Sequence, residues 1–241
     1  RDRRLKMAID YEFFQALVRE EVAAKDAQKR GRTPSDDPKD AVWRETIDAT
    51  SAQLLDRLEN LSAEARGGLG RYRRIDRDRW KREVNELKVS NRAAIDLADA
   101  TFSFHFPQWK DKDFLDKAIG QVWQAIVLDK VKALQEGTSL QTLVFPKGKA
   151  GVDEEGSLKP GEGKVFLARL EEGQSIATSV LTDRTIGFSV YTPNGEALRS
   201  DSQELNWSGK LPATGFYQIV VVSRSNDTLS YKLTLTTDTL Q

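Results

Sequence analysis

Residue types that commonly build reactive sites are missing or rare in this chain of 241 residues. It has no cysteine and a single histidine, His105. The absence of cysteine excludes disulfides, thiolate nucleophiles and cysteine-based zinc or iron–sulfur sites. One imidazole without a thiol does not supply the ligand set of a zinc site. We therefore predict no metal site and no cofactor in this chain.

Net charge and long apolar runs are absent as well. Lys plus Arg and Asp plus Glu number 37 each, so no overall field steers the chain toward nucleic acid or an anionic membrane. Apolar stretches such as 218–222 are far shorter than the roughly 20 residues that span a bilayer, and no apolar segment of signal-peptide length follows residues 1–6. Because the chain begins with Arg1 rather than Met, we expect a fragment or a processed chain. We favour a cytoplasmic location over export.

The first half of the chain has the periodicity of amphipathic helices. Ser62, Asp78 and Ser90 are expected N-caps, and Gly137 is an expected left-handed C-cap. The charged stretch 25–41 contains Gly and Pro and predicts a mobile connection. The apolar stripes lie within residues 11–22, 43–61, 80–87, 95–102 and 119–134.

After Leu140 the period of the apolar residues changes to two. Tyr231, Leu233 and Leu235 alternate with polar residues, which predicts strands with one packed and one wet face. We predict strands within 141–145, 164–170, 175–181, 186–191, 205–208, 216–222 and 229–236. The predicted fold class is therefore α+β with two domains, an all-α helical domain over 1–140 and an antiparallel Greek-key or jelly-roll β-sandwich over 141–241.

Two turns in the second half have specific structural signatures. Pro193, Asn194 and Gly195 follow Thr192 in the order that suits a hairpin with a type I turn and a glycine bulge. The second turn has the spacing of a tyrosine corner, in which a phenol bonds to upstream backbone of a Greek-key sandwich. Its residues are Leu211, Pro212, Gly215 and Tyr217. The residues of both turns are therefore expected to have structural roles rather than to form a reactive site.

The order of motifs in the second half resembles that of the bacterial pre-peptidase C-terminal domain. The motifs are FSVYTPNG (188–195), NWSG (206–209), LPATGFYQIVV (211–221) and SYKL (230–233). This resemblance implies a β-sandwich appendage that binds or packs rather than catalyses. Calcium-binding members have an acidic N-terminal stretch. Residues 153–155 here are acidic but no regular ligand spacing follows them, so the resemblance does not imply that this chain binds calcium.

The helical half is similar to the region that precedes this sandwich in some cyanobacterial proteins, including C-terminal extensions of serine/threonine protein kinases. The motifs are LGRY (69–72), DRW (78–80), DA (99–100), FP (106–107) and IGQVW (119–123). The resemblance implies a regulatory or targeting tail. The chain has no glycine-rich kinase loop, no His-Arg-Asp and no Asp-Phe-Gly, so this piece does not transfer phosphate.

Two arrangements of polar residues permit hydrolytic chemistry in principle. His105 has Ser103 and Asp99 nearby in sequence, but helical spacing does not place the three in line and no nucleophile-elbow glycines surround Ser103. The adjacent acids at 20–21, 36–37 and 171–172 are expected to face solvent rather than to converge in a cleft. We therefore predict that the chain has no catalytic residue.

A basic cluster that includes two aromatic residues is the candidate contact surface. Its residues are Arg66, Arg71, Tyr72, Arg73, Arg74, Arg77, Arg79, Trp80, Lys81 and Arg82. The candidate partner contacts among them are Arg71, Tyr72, Arg73, Arg74 and Arg77. Arginine beside an aromatic residue can grip phosphates and stack bases, but acidic residues interspersed at helical spacing neutralise much of that potential. We favour a merely solvated face first, then a contact surface for an acidic protein, and a nucleic-acid contact last.

These features predict a non-catalytic protein-binding, regulatory or scaffold module, the C-terminal tail of a larger cyanobacterial signalling protein. The expected partner is another protein, and the oligomeric state is left open. The alternatives are an accessory substrate-binding region of a secreted hydrolase or protease and a structural subunit of a larger assembly. The apolar stripe of 119–134 is expected to be buried rather than to bind a membrane or a partner helix.

Overall fold

The computed structural model describes residues 2–29, 31–110 and 112–238. In that part of the chain, seven α-helices precede nine strands, which confirms the α+β architecture in two parts. The helices are α1 (Asp2–Lys6), α2 (Tyr11–Lys25), α3 (Ala41–Leu58), α4 (Ala63–Gly68), α5 (Arg74–Glu86), α6 (Asn91–His105) and α7 (Ala118–Gln135). The strands are β1 (Leu140–Thr142), β2 (Gly151–Leu158), β3 (Gly163–Leu170), β4 (Ser175–Leu181), β5 (Ile186–Tyr191), β6 (Ala197–Ser202), β7 (Asn206–Lys210), β8 (Gly215–Ser223) and β9 (Leu229–Thr237).

Side-chain caps set several helix ends. The Ser62 hydroxyl accepts from the Ala65 amide at 3.1 Å before α4, and the Ser90 hydroxyl accepts from the Ala93 amide at 3.2 Å before α6. Both predicted caps are thus present. The predicted cap at Asp78 is wrong, because α5 already begins at Arg74. None of the helices in the described ranges is both long and apolar enough to cross a membrane.

The connection 25–41 contains two short 3-10 helices, Ala27–Lys29 and Pro38–Asp40. The Asp40 carboxylate accepts from the Ser35 hydroxyl at 2.7 Å and from the Ser35 backbone amide at 2.8 Å. These hydrogen bonds hold the pKa of the Asp40 carboxyl below its usual value. The second part of the connection therefore has local structure. The mobility of the whole connection 25–41 stays a prediction.

The strands form two sheets. One has the order β1-β3-β8-β5-β6 and the other the order β2-β9-β4-β7. Every pairing among them is antiparallel except that of β1 with β3, which is parallel and departs from the predicted antiparallel pattern. Strands β2 and β6 were not predicted, because both are charged strands at sheet edges, where the apolar alternation is lost.

The two sheets pack face to face around one apolar core. Phe166, Phe188 and Ile219 of the five-stranded sheet and Leu233 of the four-stranded sheet belong to this core. The Phe166 and Tyr231 rings meet edge to face with centroids 6.1 Å apart, a favoured geometry for buried rings. On β9, alternate residues are buried as predicted.

Strands β5 and β8 are buried on both faces, which simple alternation does not predict. Helix α6 covers the outer face of their sheet. A Cβ placed on Gly163 of β3 would lie 2.6 Å from Leu97 of α6 and 2.7 Å from Val222 of β8. The Thr101 hydroxyl also donates to the Gly161 carbonyl at 2.6 Å. The helix therefore packs directly against this sheet.

The chain divides by contacts into two compact units. One comprises Arg1–Asp76 with His105–Asp129, and the other comprises Arg77–Phe104 with Lys130–Gln241. We call the first the helical unit and the second the sandwich unit. The units differ from the two segments defined by the change of period at residue 140, because most of α5, α6 up to Phe104 and the end of α7 belong to the sandwich unit. That 1–140 and 141–241 are separate domains stays a prediction.

Candidate binding groove

The adjacent acids Glu20 and Glu21 do not face solvent, contrary to the sequence-based prediction. The Glu20 carboxylate accepts from the amides of Ala118 and Ile119 at 2.9 and 3.0 Å and so caps α7. Glu21 is 1% exposed and accepts from the Trp109 indole. The Arg57 guanidinium lies 4.0 Å from its carboxylate. Both acids therefore have structural partners within the helical unit. The other two pairs of adjacent acids are exposed, as predicted, namely Asp36 with Asp37 and Glu171 with Glu172.

His105 is the last residue of α6, the helix that also contains Asp99 and Ser103. Side chains two residues apart on a helix point to opposite sides of it, so Ser103 and His105 do not form a hydroxyl–imidazole pair by helical geometry. The His105 ring packs edge-on against Phe106, with centroids 6.5 Å apart. In the described ranges, no group of three or more His, Cys, Asp or Glu could hold a metal ion.

Two backbone hydrogen bonds close the turn after β5. The Gly195 amide donates to the Thr192 carbonyl at 2.9 Å, and Gly195 has a φ of 82°. The Thr192 amide in turn donates to the Glu196 carbonyl at 2.9 Å. The positive φ favours glycine at this position because the residue has no Cβ.

The second turn joins β7 to β8. The Tyr217 hydroxyl donates to the Ala213 carbonyl at 2.7 Å and accepts from the Ala213 amide at 3.2 Å. Tyr217 is 1% exposed as a whole residue, and its hydroxyl makes these two hydrogen bonds in a partly buried position. The phenol thus fastens the loop 211–215 to the start of β8.

We expect Tyr217→Phe to lower the free energy of unfolding by about 1 to 2 kcal/mol, because the loop amide and carbonyl of Ala213 both lose a hydrogen-bond partner. Chemical denaturation followed by circular dichroism measures the change. Tyr231→Phe is the matched control, since it removes the hydroxyl of another buried tyrosine, one that lies against Gly156. Equal stability of Tyr217→Phe and the wild type would contradict a tyrosine corner.

A groove of about 590 Å³ opens beside the first of these turns, within the sandwich unit. We call it the Lys88 groove. Its lining residues come from the α5–α6 loop and the start of α6 (85–92), from the hairpin turn (193–195) and from the start of β8 (215–216). This volume is in the range of small-ligand and peptide-side-chain sites.

The charges of the Lys88 groove have one sign. Lys88 and Arg92 are exposed cations, and none of the described lining residues has a carboxylate. Lys88 follows α5 in the left-handed conformation, with a φ of 63°. The Val89 amide then donates to the Val84 carbonyl at 3.0 Å, which closes α5.

Lys88, Asn91 and Arg92 were not predicted as groove residues. They are ordinary residues of a helix–loop–helix in sequence, and only the packing of α6 on the sheet brings them beside the turn 193–195. Ser90 was the one available signal. It was correctly predicted as a cap, and its amide donates to the buried Gln218 side chain at 2.8 Å.

Asp96 is a half-buried acid in the contact between α6 and β5. The Tyr191 hydroxyl donates to its carboxylate at 2.7 Å. Burial raises the pKa of Asp96 to about 6, although hydrogen bonds from Tyr191 and Ser189 act in the opposite direction. Burial likewise raises the pKa of Tyr191 to about 12. Because these groups join a helix to a strand, we assign them a structural role.

The predicted contact residues of the basic cluster differ in their environments. Arg71, Arg73 and Arg74 are exposed, and the Arg71 guanidinium donates to the Gly67 carbonyl. Tyr72 is held inward: its hydroxyl donates to the Ala65 carbonyl at 2.6 Å, and its amide donates to Gln121 at 2.9 Å. Burial raises the pKa of the Tyr72 phenol. Arg77 is half-buried.

The acidic stretch of β2 is paired across the sheet. The Lys232 ammonium lies 3.0 Å from the Asp153 carboxylate and 3.7 Å from that of Glu155. The Thr234 hydroxyl donates to Asp153 at 2.7 Å, and this hydrogen bond and Lys232 lower the pKa of Asp153. Asp153 and Glu155 thus have cross-strand partners on β9.

No protein-family model matches the chain. Over 247 residues the chain is 28% identical to the serine/threonine-protein kinase-like protein E of Synechocystis sp.. The match covers 98% of this chain and 40% of that protein, so the chain spans less than half the length of this curated relative. The predicted resemblance to a kinase-related cyanobacterial protein is confirmed.

Two kinds of solved structure are similar to the chain. One is PliG of Aeromonas hydrophila, a periplasmic inhibitor of g-type lysozyme, with 20% identity, a TM-score of 0.38 and coverage of 42% of this chain and 96% of that one. The other is the pre-peptidase C-terminal domain of a collagenase from Bacillus anthracis, with 16% identity, a TM-score of 0.31 and coverage of 40% and 93%. A pre-peptidase C-terminal domain is thus among the structures that this chain resembles.

Proposed function

We propose that this chain is a non-catalytic protein-binding, regulatory or scaffold module, the C-terminal tail of a larger cyanobacterial signalling protein. The observation that supports this most is the match to kinase-like protein E, which includes nearly the whole chain but only 40% of the relative. In that relative, the region that matches the helical and sandwich parts therefore lies within a longer protein. The kinase motifs are absent from this chain, so any transfer of phosphate would belong to another segment.

The environments of the polar residues support a binding role over a catalytic one. Glu20 and Glu21 are engaged by backbone and indole donors, and Asp96 joins α6 to β5. A general acid or base needs access to a substrate, and these carboxylates are instead committed to partners within the fold. A cytoplasmic location remains a prediction that accompanies this proposal.

The exposed arginines of the basic cluster are the proposed contact surface for an acidic protein. Arg73 and Arg74 are exposed, whereas the Tyr72 hydroxyl is already bonded to backbone. The cluster also contains acids: Asp76 accepts from the Arg73 amide at 2.8 Å. Mixed charge of this kind favours a protein surface over a nucleic-acid backbone.

We expect the double charge reversal Arg73→Glu and Arg74→Glu to weaken binding of an acidic partner by about three- to tenfold at low salt, because exposed ion pairs are worth about 0.2 to 1 kcal/mol each. The loss should shrink at high salt, where screening already removes the attraction. Partners are first isolated from cyanobacterial extract with the tethered full chain, and the purified partner is then titrated by calorimetry.

Lys147→Glu with Lys149→Glu is the matched control, since both lysines are exposed in the sandwich unit. If the control weakens binding as much as the arginine pair, the basic cluster is not the contact surface. The complete reading frame tests the rest of the proposal. A kinase-related domain upstream supports a signalling tail, whereas a protease domain there would favour the accessory substrate-binding alternative.

A further inference from the structure

We propose that the Lys88 groove binds an acidic peptide segment of a partner protein, with Lys88 and Arg92 pairing to its carboxylate. This inference rests on the proposed binding function and names the chemistry of a second contact, separate from the basic cluster. The groove is large enough for one or two side chains and their backbone, at about 590 Å³.

Charge selects the class of occupant. The groove offers an ammonium and a guanidinium, while the described lining residues contribute no carboxylate. The nearby acids Glu86 and Glu196 are not among those lining residues. Charge complementarity therefore favours an anionic group, and a guanidinium can bind a carboxylate through two parallel hydrogen bonds.

The extent of the groove favours a peptide over a simple anion. Besides Lys88 and Arg92, the described lining residues are uncharged and come from three separate segments of the chain. A simple anion would fill only a small part of the groove beside the two cations, whereas a peptide can place a carboxylate there and also cover the uncharged lining.

The walls of the groove are held in place by close packing. A Cβ on Gly195 would lie 2.9 Å from the Cβ of Ser90, and one on Gly215 would lie 2.7 Å from the Pro193 ring. The turn therefore rests directly against the start of α6, and Tyr217 fastens the loop that precedes β8. A preformed site loses little conformational entropy when it binds.

The test uses the full chain and two series of short synthetic peptides. One series has a single Glu at a varied position, and the other has Gln at the same position. Fluorescence anisotropy measures the affinity of each labelled peptide. We expect the wild type to prefer the best Glu peptide over its Gln counterpart by at least about tenfold, as two charge-assisted hydrogen bonds would give.

The groove variant is Lys88→Gly with Arg92→Gln. Glycine suits the φ of 63° at position 88, and Arg92 is exposed, so the melting temperature should not fall. The control is Lys149→Gln with Lys159→Gln, which removes two exposed positive charges elsewhere in the same unit. The groove variant should lose the preference for Glu, and the control should keep it.

Three results would overturn the inference. The first is that no Glu peptide binds the wild type, and the second is that the groove variant keeps the preference for Glu. The third is that inorganic phosphate at an equal concentration displaces the peptide completely. The last result would indicate a small-anion site. The proposed binding function is judged separately, by the native partner and the Arg73 and Arg74 variants, so the two failures are distinguishable.

Discussion

Leu97→Ala will lower the free energy of unfolding of the sandwich unit by about 2 to 5 kcal/mol, the usual range for a buried leucine truncated in a well-packed site. Leu97 is 0% exposed on α6 and lies against Gly163 and Val222 of the five-stranded sheet. The truncation leaves a cavity between helix and sheet. The consequence should therefore appear in the strands, although the mutated residue belongs to the helical half of the sequence.

Hydrogen-exchange mass spectrometry distinguishes this outcome from a local effect on the helix. Exchange should accelerate in peptides from β3 and β8 under conditions where the wild type is protected. Leu54→Ala is the matched control, because Leu54 is 1% exposed in α3 of the other compact unit. Unchanged protection of β3 and β8 in Leu97→Ala would show that α6 does not stabilise the sheet.

Asp96→Asn should stabilise the chain above pH 7 by up to about 3 kcal/mol, and the gain should shrink as the pH falls below 6. The pKa of Asp96 is raised in the folded protein to about 6 from an ordinary value of 3.8. The folded state thus binds this proton more tightly than the unfolded state does. The contribution of Asp96 to stability is greatest below pH 3.8 and is lost as the pH rises through 6.

Urea denaturation of both proteins at pH 5 and pH 8 measures this difference. Asparagine keeps an oxygen that can accept from Tyr191, so the hydrogen bond to β5 persists while the charge does not. Asp99→Asn is the control, since it removes an exposed carboxylate from the same helix. An equal stability gap for Asp96→Asn at the two pH values would contradict a raised pKa at Asp96.

These two predictions concern one contact, the packing of α6 on the sheet. Apolar burial at Leu97 and hydrogen bonds at Ser90, Asp96 and Thr101 hold the helix along its length. The same contact positions Lys88 and Arg92 beside the turn 193–195 and so forms the Lys88 groove. Stability of the sandwich unit and formation of the proposed binding groove therefore have a common origin.

Local chemistry was sufficient to predict several features from sequence. Ser62 and Ser90 cap helices because their hydroxyls satisfy amides within the next turn, and Gly195 occupies a left-handed turn position because it has no Cβ. The alternation of β9 follows from a sheet with one buried face. Edge strands β2 and β6 escaped prediction because their polar residues are tolerated where no second neighbour covers them.

The amino-acid sequence by itself determined the change from helices to strands near residue 140, the turn chemistry and the absence of cysteine-based sites, because each depends on residue type or on neighbours close in the chain. Only the tertiary structure decided that α6 packs on the five-stranded sheet, that Glu20 and Glu21 are structural acids, and that Lys88 and Arg92 line a groove with the hairpin turn. These features arise from contacts between residues far apart in sequence, and periodicity shows which face of an element is apolar without showing what covers it.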